Sequence, residues 1–409
     1  MDNPGGAAHK QDDAASAVAE LLDAGRSLHA AKLVVAIVAA AGRVGLAEAT
    51  LWLADVQQRV LVPYDGMDKG PGDGLTVDGT LAGRAYQESR AQRSDAGTDG
   101  VGEAVWIPLM DGTDRLGVLG GQVERWSDDL AIDLGMLARL AGRLLGADQR
   151  HSDAVARTRR LRPTSVAAEV QWALLPPLAC VDGATTICGA LEPAYDISGD
   201  TFDYAVADGP ACFGVFDAMG HGLSAAMMAS VAVGAYRQAR RVGLDLEGCA
   251  ASIDEAVGGQ FPDSFVTGVL AEFDGASGQL SYLVAGHHPA VVLRAGRVVR
   301  HLDDAGRLPF GLGSAFGPTG GGAPHGRVGA ERLEPGDRVL LYTDGVIEAR
   351  DPGGTFFGLD RLEELLVHED ASGNDGRETL RRLIHAVLGH QAGLLQDDAM
   401  LLMLQWQPI

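Results

Sequence analysis

The order of apolar and polar positions divides the chain into three stretches. Residues 17–44, "AVAELLDAGRSLHAAKLVVAIVAAAGRV", carry the recurrence of a helix. Four strand-like runs follow: "EATLWLADV", "QRVLVPYD", "AVWIPLMDG" and "RLGVLGGQVE", with Asp111-Gly112 as a turn signal between the last two. Residues 128–149, "DDLAIDLGMLARLAGRLLGADQ", then read as an amphipathic helix, with acids early and arginines later as the helix dipole favours. The segment "RTRRLRPTSVAAEVQWALLPP" reads as a helical connector. Pro163 breaks it, Thr164 or Ser165 caps a new helix, and Pro176-Pro177 end that helix. Beyond it, strand-like and helical runs alternate to the C-terminus. These shifts predict a disordered tail over 1–14, a first domain over 15–147, a helical linker over 148–177 and a second domain over 178–409.

Composition narrows the function classes. Of the 409 residues, 46% are hydrophobic, enough for packed cores. The net charge is −22, from 33 basic and 55 acidic residues, which argues against broad binding to nucleic acid or an anionic membrane. Cys180, Cys188, Cys212 and Cys249 show no CxxC spacing, so neither a disulfide framework nor a zinc site is expected, and a reducing cytoplasm is the simplest location. The longest apolar run, Leu33 to Ala41, falls far short of the ~20 residues a membrane helix needs.

The chemistry concentrates in the third stretch. "TFDYAV" and "ACFGVFD" flank Asp208-Gly209, a hairpin signal. A hairpin centred there pairs residues whose numbers sum to 208 + 209 = 417, which places Asp200 opposite Asp217. Two facing carboxylates repel unless a cation or a proton lies between them. Pro210 cannot donate across such a turn, so the loop could be wider than two residues. Gly220 and Gly222 then permit a sharp turn into a long helix. Two more acids sit at strand ends, Asp344 after "RVLLYT" and Asp397-Asp398 before "AMLLML". Singly, each reads as an ordinary turn residue. Together, four acids at one end of a sheet suit two hard divalent ions. His221, four residues past Asp217, suits either a general acid or a structural turn cap.

Two resemblances extend this reading. "LTVDGTLAGRAYQESRAQRSD" followed by "AVWIPLMDGTDRLGVLGGQVE" resembles a GAF sensor domain over residues 15–147. It implies an antiparallel sheet with flanking helices, often around a small-molecule pocket. The segment has no cysteine, so cysteine-dependent ligand chemistry does not carry over, and the lone His29 reads as a surface or core residue before it reads as a haem ligand. The motifs "ISGDTFDY", "GVFDAMGHGLSAAMMAS", "SFVTGVLAEFDGASGQLSYLVAGHHPAVVLR", "LPFGLG", "LEPGDRVLLYTDGVIEARDPGGTFFGLDRL" and "QDDAMLLML" resemble the SpoIIE/RsbU-type branch of the PPM protein serine/threonine phosphatases over about residues 165–406. That family implies a four-layer α-β-β-α sandwich, giving an α+β chain overall. It also implies two Mn²⁺ or Mg²⁺ ions held by Asp200, Asp217, the carbonyl of Ala218, Asp344 and Asp397. Asp398 then orients the terminal loop. His287, in "AGHHP", falls at a position near the metals and is expected to orient a carboxylate or water. Two positions depart from the family pattern: Ala218 is harmless to a backbone ligand, whereas Met400 stands where a threonine is usual and removes a hydroxyl.

The resemblance implies in-line hydrolysis of phosphoserine or phosphothreonine, with a phosphorylated STAS-domain anti-anti-sigma factor as the expected partner and an effector of the GAF-like domain as regulator. A non-catalytic regulatory binding protein and a metal-dependent phosphodiesterase are the alternatives, the second disfavoured by the acidic chain. The stripe "LAIDLGMLARLAGRLLG", continued by "EVQWALL", predicts a homodimer through the connector, or else packing on its own domain. The break at Pro163, beside the basic island Arg157, Arg159, Arg160 and Arg162, is the expected switch point.

Overall fold

The computed structural model describes residues 16–25, 29–66, 74–94, 102–149, 151–192, 195, 199–206, 209–313, 326–393 and 397–407. The expected tail at 1–14 and the turn residue Asp208 lie outside the described residues. Contacts divide the chain into two units, Met1–Pro163 and Thr164–Ile409.

In the first unit, residues 16–24 are helical and a second helix covers Ala30–Val44. The single helical run read from the pattern is interrupted at His29, which is extended (φ −115°) and exposed. Strands β1 (Ala47–Ala54), β2 (Val60–Tyr64), β3 (Leu75–Thr76), β4 (Gln92–Arg93), β5 (Glu103–Asp111) and β6 (Asp114–Val123) form one sheet in the order β3-β2-β1-β6-β5-β4. Its pairings are antiparallel. The pleat sends Leu51, Leu53, Val105, Ile107 and Leu109 to one face, where they meet Leu33 and Ile37 of one helix and Leu134, Leu137, Ala141 and Leu145 of the helix Asp128–Asp148. The other face carries Trp52 and Trp106, edge to face at 6.0 Å, and packs Val118 against Tyr86 of the helix Leu81–Glu88. This is the antiparallel sheet with flanking helices expected for the first domain. The apolar stripe of Asp128–Asp148, which prompted the expectation of a dimer, is covered by this unit's own sheet; only Ile132 and Met136 leave large apolar side chains exposed on that helix. Arg159 is also engaged within the unit, its Nε donating to the carbonyl of Ala54.

The second unit opens with the helix Val166–Leu174. Ser165 caps it by accepting from the Ala168 N–H, and it stops just before Pro176. One sheet comprises β7 (Ala179–Asp182), β8 (Thr185–Glu192), β13 (Val291–Arg294), β14 (Arg297–His301), β17 (Arg338–Tyr342) and β18 (Ala399–Trp406), in the order β14-β13-β17-β18-β8-β7. The other comprises β9 (Asp200–Ala205), β10 (Ala211–Ala218), β11 (Val266–Asp274), β12 (Gln279–Ala285), β15 (Gly306–Arg307) and β16 (Gly329–Arg332), with β15-β12-β11-β10-β9 in line and β16 also paired to β12.

The continuous apolar runs follow from burial of both faces. In β18, Met400, Leu402 and Leu404 enter the core between the sheets, while Ala399, Leu401 and Met403 face a helix layer made by Leu359–Ala371 and Gly376–His390. In β10, Phe213 and Val215 point between the sheets, while Phe216 and Ala218 face the helices Gly222–Arg241 and Leu246–Gln260. The result is the expected four-layer α-β-β-α sandwich. Among the described residues no helix is long and apolar enough to cross a membrane.

Candidate metal centre

The acids reach one place through strand register. In the β9–β10 hairpin the pairs run Ala205–Cys212 through Asp200–Asp217, each summing to 417 as the turn signal required. Asp200 shares its pleat direction with Phe202, and Asp217 shares that of Phe213 and Val215, so both side chains leave their strands on the side facing the second sheet. On its other flank, Asp217 stands opposite Thr267 of β11. The second sheet supplies the remaining acids. Asp344 lies two residues beyond β17 and starts the short helix Asp344–Ile347. Asp397 and Asp398 lie immediately before β18.

Backbone ties hold these strand ends together. Asp398 Oδ2 accepts from the N–H groups of Gly199 (2.8 Å) and Asp200 (3.4 Å), linking the start of β18 to the start of β9 in the other sheet. The N–H of Met400 donates to Thr343 Oγ1 at 3.0 Å, so the missing hydroxyl at position 400 leaves no loose end: Met400 itself is buried between the sheets and Thr343 supplies the hydroxyl. Gly199 is a packing requirement here. A Cβ on it would lie 2.6 Å from the carbonyl oxygen of Ala218, the backbone group expected to face a metal. Beyond Ala218, Gly220 and Gly222 adopt φ of +94° and +72°, turning the chain into the helix Gly222–Arg241.

The electrostatics show that the acids are near one another. Burial, followed by the charges of Asp217 and Asp398, raises Asp200 well above the ordinary carboxylate range. Burial, followed by Asp344 and Asp397, pushes Asp217 up to about 7. Desolvation raises Asp344, and partial desolvation with Asp344 nearby raises Asp397 at the exposed rim. One oxygen of Asp200, Oδ2, is buried with no hydrogen-bond partner. Among the described residues no group of three or more His, Cys, Asp or Glu side chains is already drawn into a metal-ligating cluster. The donor set nonetheless fits hard divalent cations: all oxygen, mutually repelling, and with a buried carboxylate oxygen lacking a partner.

The two candidate histidines differ. His221 is exposed where it precedes the helix Gly222–Arg241, and its side chain makes no capping bond. His287 lies in the crossing from β12 to β13. Its Nδ1 is 2.8 Å from Thr267 Oγ1 and its Nε2 is 3.1 Å from the carbonyl oxygen of Tyr342. Desolvation, then His288, lowers its pKa to about 4, so the ring is neutral at physiological pH. His288 stacks on Tyr342, with ring centroids 5.8 Å apart. Thr267 was not singled out from the sequence. The signal that finds it is its place opposite Asp217, which depends on the β10–β11 register across 50 residues.

Comparison with known proteins bears on this second unit. The family model described as Stage II sporulation protein E (SpoIIE) matches residues 207–407. Protein IcfG of Synechocystis sp. is 31% identical over 136 residues, which is 33% of this chain and 19% of that protein. Phosphoserine phosphatase RsbU of Bacillus subtilis is 24% identical over 241 residues, 59% of this chain and 69% of that protein. Among solved structures, the RsbU and RsbW domains of a Mycobacterium tuberculosis protein align at a TM-score of 0.45 with 25% identity, covering 55% of this chain and 61% of that one. The SiaA-PP2C domain of Pseudomonas aeruginosa aligns at 0.48 with 21% identity, covering 59% and 94%. The match thus spans about a fifth of IcfG and about three fifths of the mycobacterial structure. Over residues 207–407, within the two-sheet unit, the chain thus carries a domain that matches the SpoIIE family.

Proposed function

We propose that the C-terminal unit is a metal-dependent protein serine/threonine phosphatase. The observation that carries this reading is the convergence of acids from two sheets: Asp200 stands opposite Asp217 in one, and Asp398, beside Asp397 at the end of the other, accepts from the N–H of Gly199. Asp200, Asp217, Asp344, Asp397 and the carbonyl of Ala218 would hold two Mn²⁺ or Mg²⁺ ions. When bound, such ions acidify water and offset the charge of phosphoryl oxygens. The chain's own residues do the rest. Asp217, flanked in the sheet by Asp200 and Thr267, would be a ligand to these ions. Asp398 keeps the two sheets in step through Gly199. His221, which is exposed, would protonate the departing serine or threonine oxygen. His287 is neutral and twice hydrogen-bonded, which suits an orienting role.

The substrate class is proposed from the relatives. One of them is called a phosphoserine phosphatase, RsbU, and a solved neighbour joins RsbU and RsbW domains in a single protein. A phosphorylated STAS-domain protein is the partner this suggests, in a cytoplasmic pathway controlling a sigma factor, with the GAF-like first unit as regulator. The four free cysteines fit a reducing compartment.

The test is Mn²⁺-dependent phosphate release from a phosphoserine STAS protein, from a phosphothreonine peptide and from a phosphodiester. Release from the first two but not the third supports the reading. Diester cleavage alone, or binding of the phosphoprotein without turnover, rejects it.

A further inference from the structure

The four carboxylates come from two different sheets, so their spacing depends on how one sheet end is held against the other. Asp200 and Asp217 end strands of the first sheet, whereas Asp344 and Asp397 flank strands of the second. One tie is Asp398 to Gly199, which lies on the Asp200 side. A second runs on the Asp217 side. Thr267 Oγ1 is 3.3 Å from Asp217 Oδ2 and 2.8 Å from His287 Nδ1, and His287 Nε2 is 3.1 Å from the carbonyl oxygen of Tyr342. Tyr342 ends β17 two residues before Asp344.

Hydrogen-bond chemistry orients this path. A carbonyl can only accept, so Nε2 carries the ring proton and donates to Tyr342. Nδ1 of the neutral ring is then an acceptor, as is Asp217 Oδ2, and the single hydroxyl proton of Thr267 lies between the two, shared by the shorter contact to Nδ1 and the longer one to the carboxylate. Thr267 is therefore the joint where a carboxylate of one sheet meets an imidazole anchored to the other. A valine at this place would keep the shape and the β-propensity but leave Nδ1 unpartnered.

We propose that Thr267 is a positioning residue: with His287 it forms a strut from the Asp217 carboxylate to the Tyr342 backbone and sets the separation between Asp217 and Asp344. This inference rests on the metal-centre reading. Groups that orient metal ligands typically govern affinity by about 10–100-fold.

The experiment uses the full chain with MnCl₂ as the probe. Calorimetric Mn²⁺ affinity is measured for wild type, Thr267→Val, Thr267→Ser, His287→Ala and the Thr267→Val/His287→Ala double variant. Phosphopeptide turnover is followed across Mn²⁺ concentrations. Thr267→Val is expected to weaken Mn²⁺ binding by about 10–100-fold, with kcat recovering at high Mn²⁺ and KM for the peptide within about twofold of wild type. Thr267→Ser, which keeps the hydroxyl, recovers most of the loss. The double variant is no worse than the poorer single variant, because both changes break the same strut. Thr267→Ala makes the same comparison should valine prevent folding. Wild-type Mn²⁺ affinity in Thr267→Val, or independent multiplying losses in the double variant, overturns the strut while leaving the metal centre standing. No Mn²⁺ binding by the wild-type chain overturns both.

Discussion

Asp217→Asn separates a metal centre from an ordinary strand end. The substitution keeps the shape of the side chain and removes a charge that the fold resists. Asp217 is held at about 7 against an ordinary 3.8, so keeping it ionised in the metal-free protein at pH 8 costs about 4 kcal/mol at 1.36 kcal/mol per pH unit. Asparagine removes that cost and weakens a contact with Thr267 worth about 1 kcal/mol. The metal-free C-terminal unit should gain ~3 kcal/mol at most, which for a unit of this size raises Tm by at most roughly 6–12 °C. With Mn²⁺ the order reverses. On the proposed reading the wild type gains stability by mass action, whereas the variant lacks one of the proposed ligand carboxylates and should gain little. Phosphopeptide turnover should fall by orders of magnitude if the proposed two-ion hydrolysis holds. The assay is a pair of thermal melts at pH 8, with chelator and with Mn²⁺, alongside steady-state turnover. The reasoning fails if the chelated variant melts no higher than wild type, or if Mn²⁺ shifts both equally while turnover persists.

Three further outcomes are expected. The same raised carboxyl contributes a fall in metal-free stability as pH rises from about 4 to about 7, because the folded state retains a proton that the unfolded chain has released; Mn²⁺ must displace that proton, so the Mn²⁺-induced Tm shift should grow between pH 6 and pH 8, and a flat shift counts against it. Asp203 is buried and ion-paired to Arg237 (2.6 Å) and Arg240, so Asp203→Ala should cost about 3–5 kcal/mol in urea unfolding, and a loss under about 1 kcal/mol would contradict the buried pairing. A chain beginning at Thr164 should keep Mn²⁺-dependent turnover while losing any effector response of the full chain; identical responses in the two would remove the first unit from regulation.

Local features of this protein were legible in the sequence. Turn chemistry and alternation fixed the Asp200–Asp217 pairing, because a hairpin register depends only on its turn and its two strands. The Ser165 cap and the Gly220–Gly222 turn were legible for the same reason: each is settled by a few neighbouring residues. The apolar stripe of Asp128–Asp148 revealed a helix but not what covers it. The tertiary structure covers it with β1, β5 and the helix Ala30–Val44, whose side chains complement it within the same unit. Thr267 and the Asp398–Gly199 tie were invisible for a related reason. They join residues 50 and 199 positions apart: Thr267 reaches Asp217 through the β10–β11 register within one sheet, and the Asp398–Gly199 meeting depends on how two sheets slide over a shared core of Phe202, Phe213, Val215, Leu341 and Leu402. Spacing along the chain set which strands end in acids; side-chain packing between the sheets set which of those ends lie together, because the free energy that fixes the slide is spread over the whole buried face and belongs to no short segment.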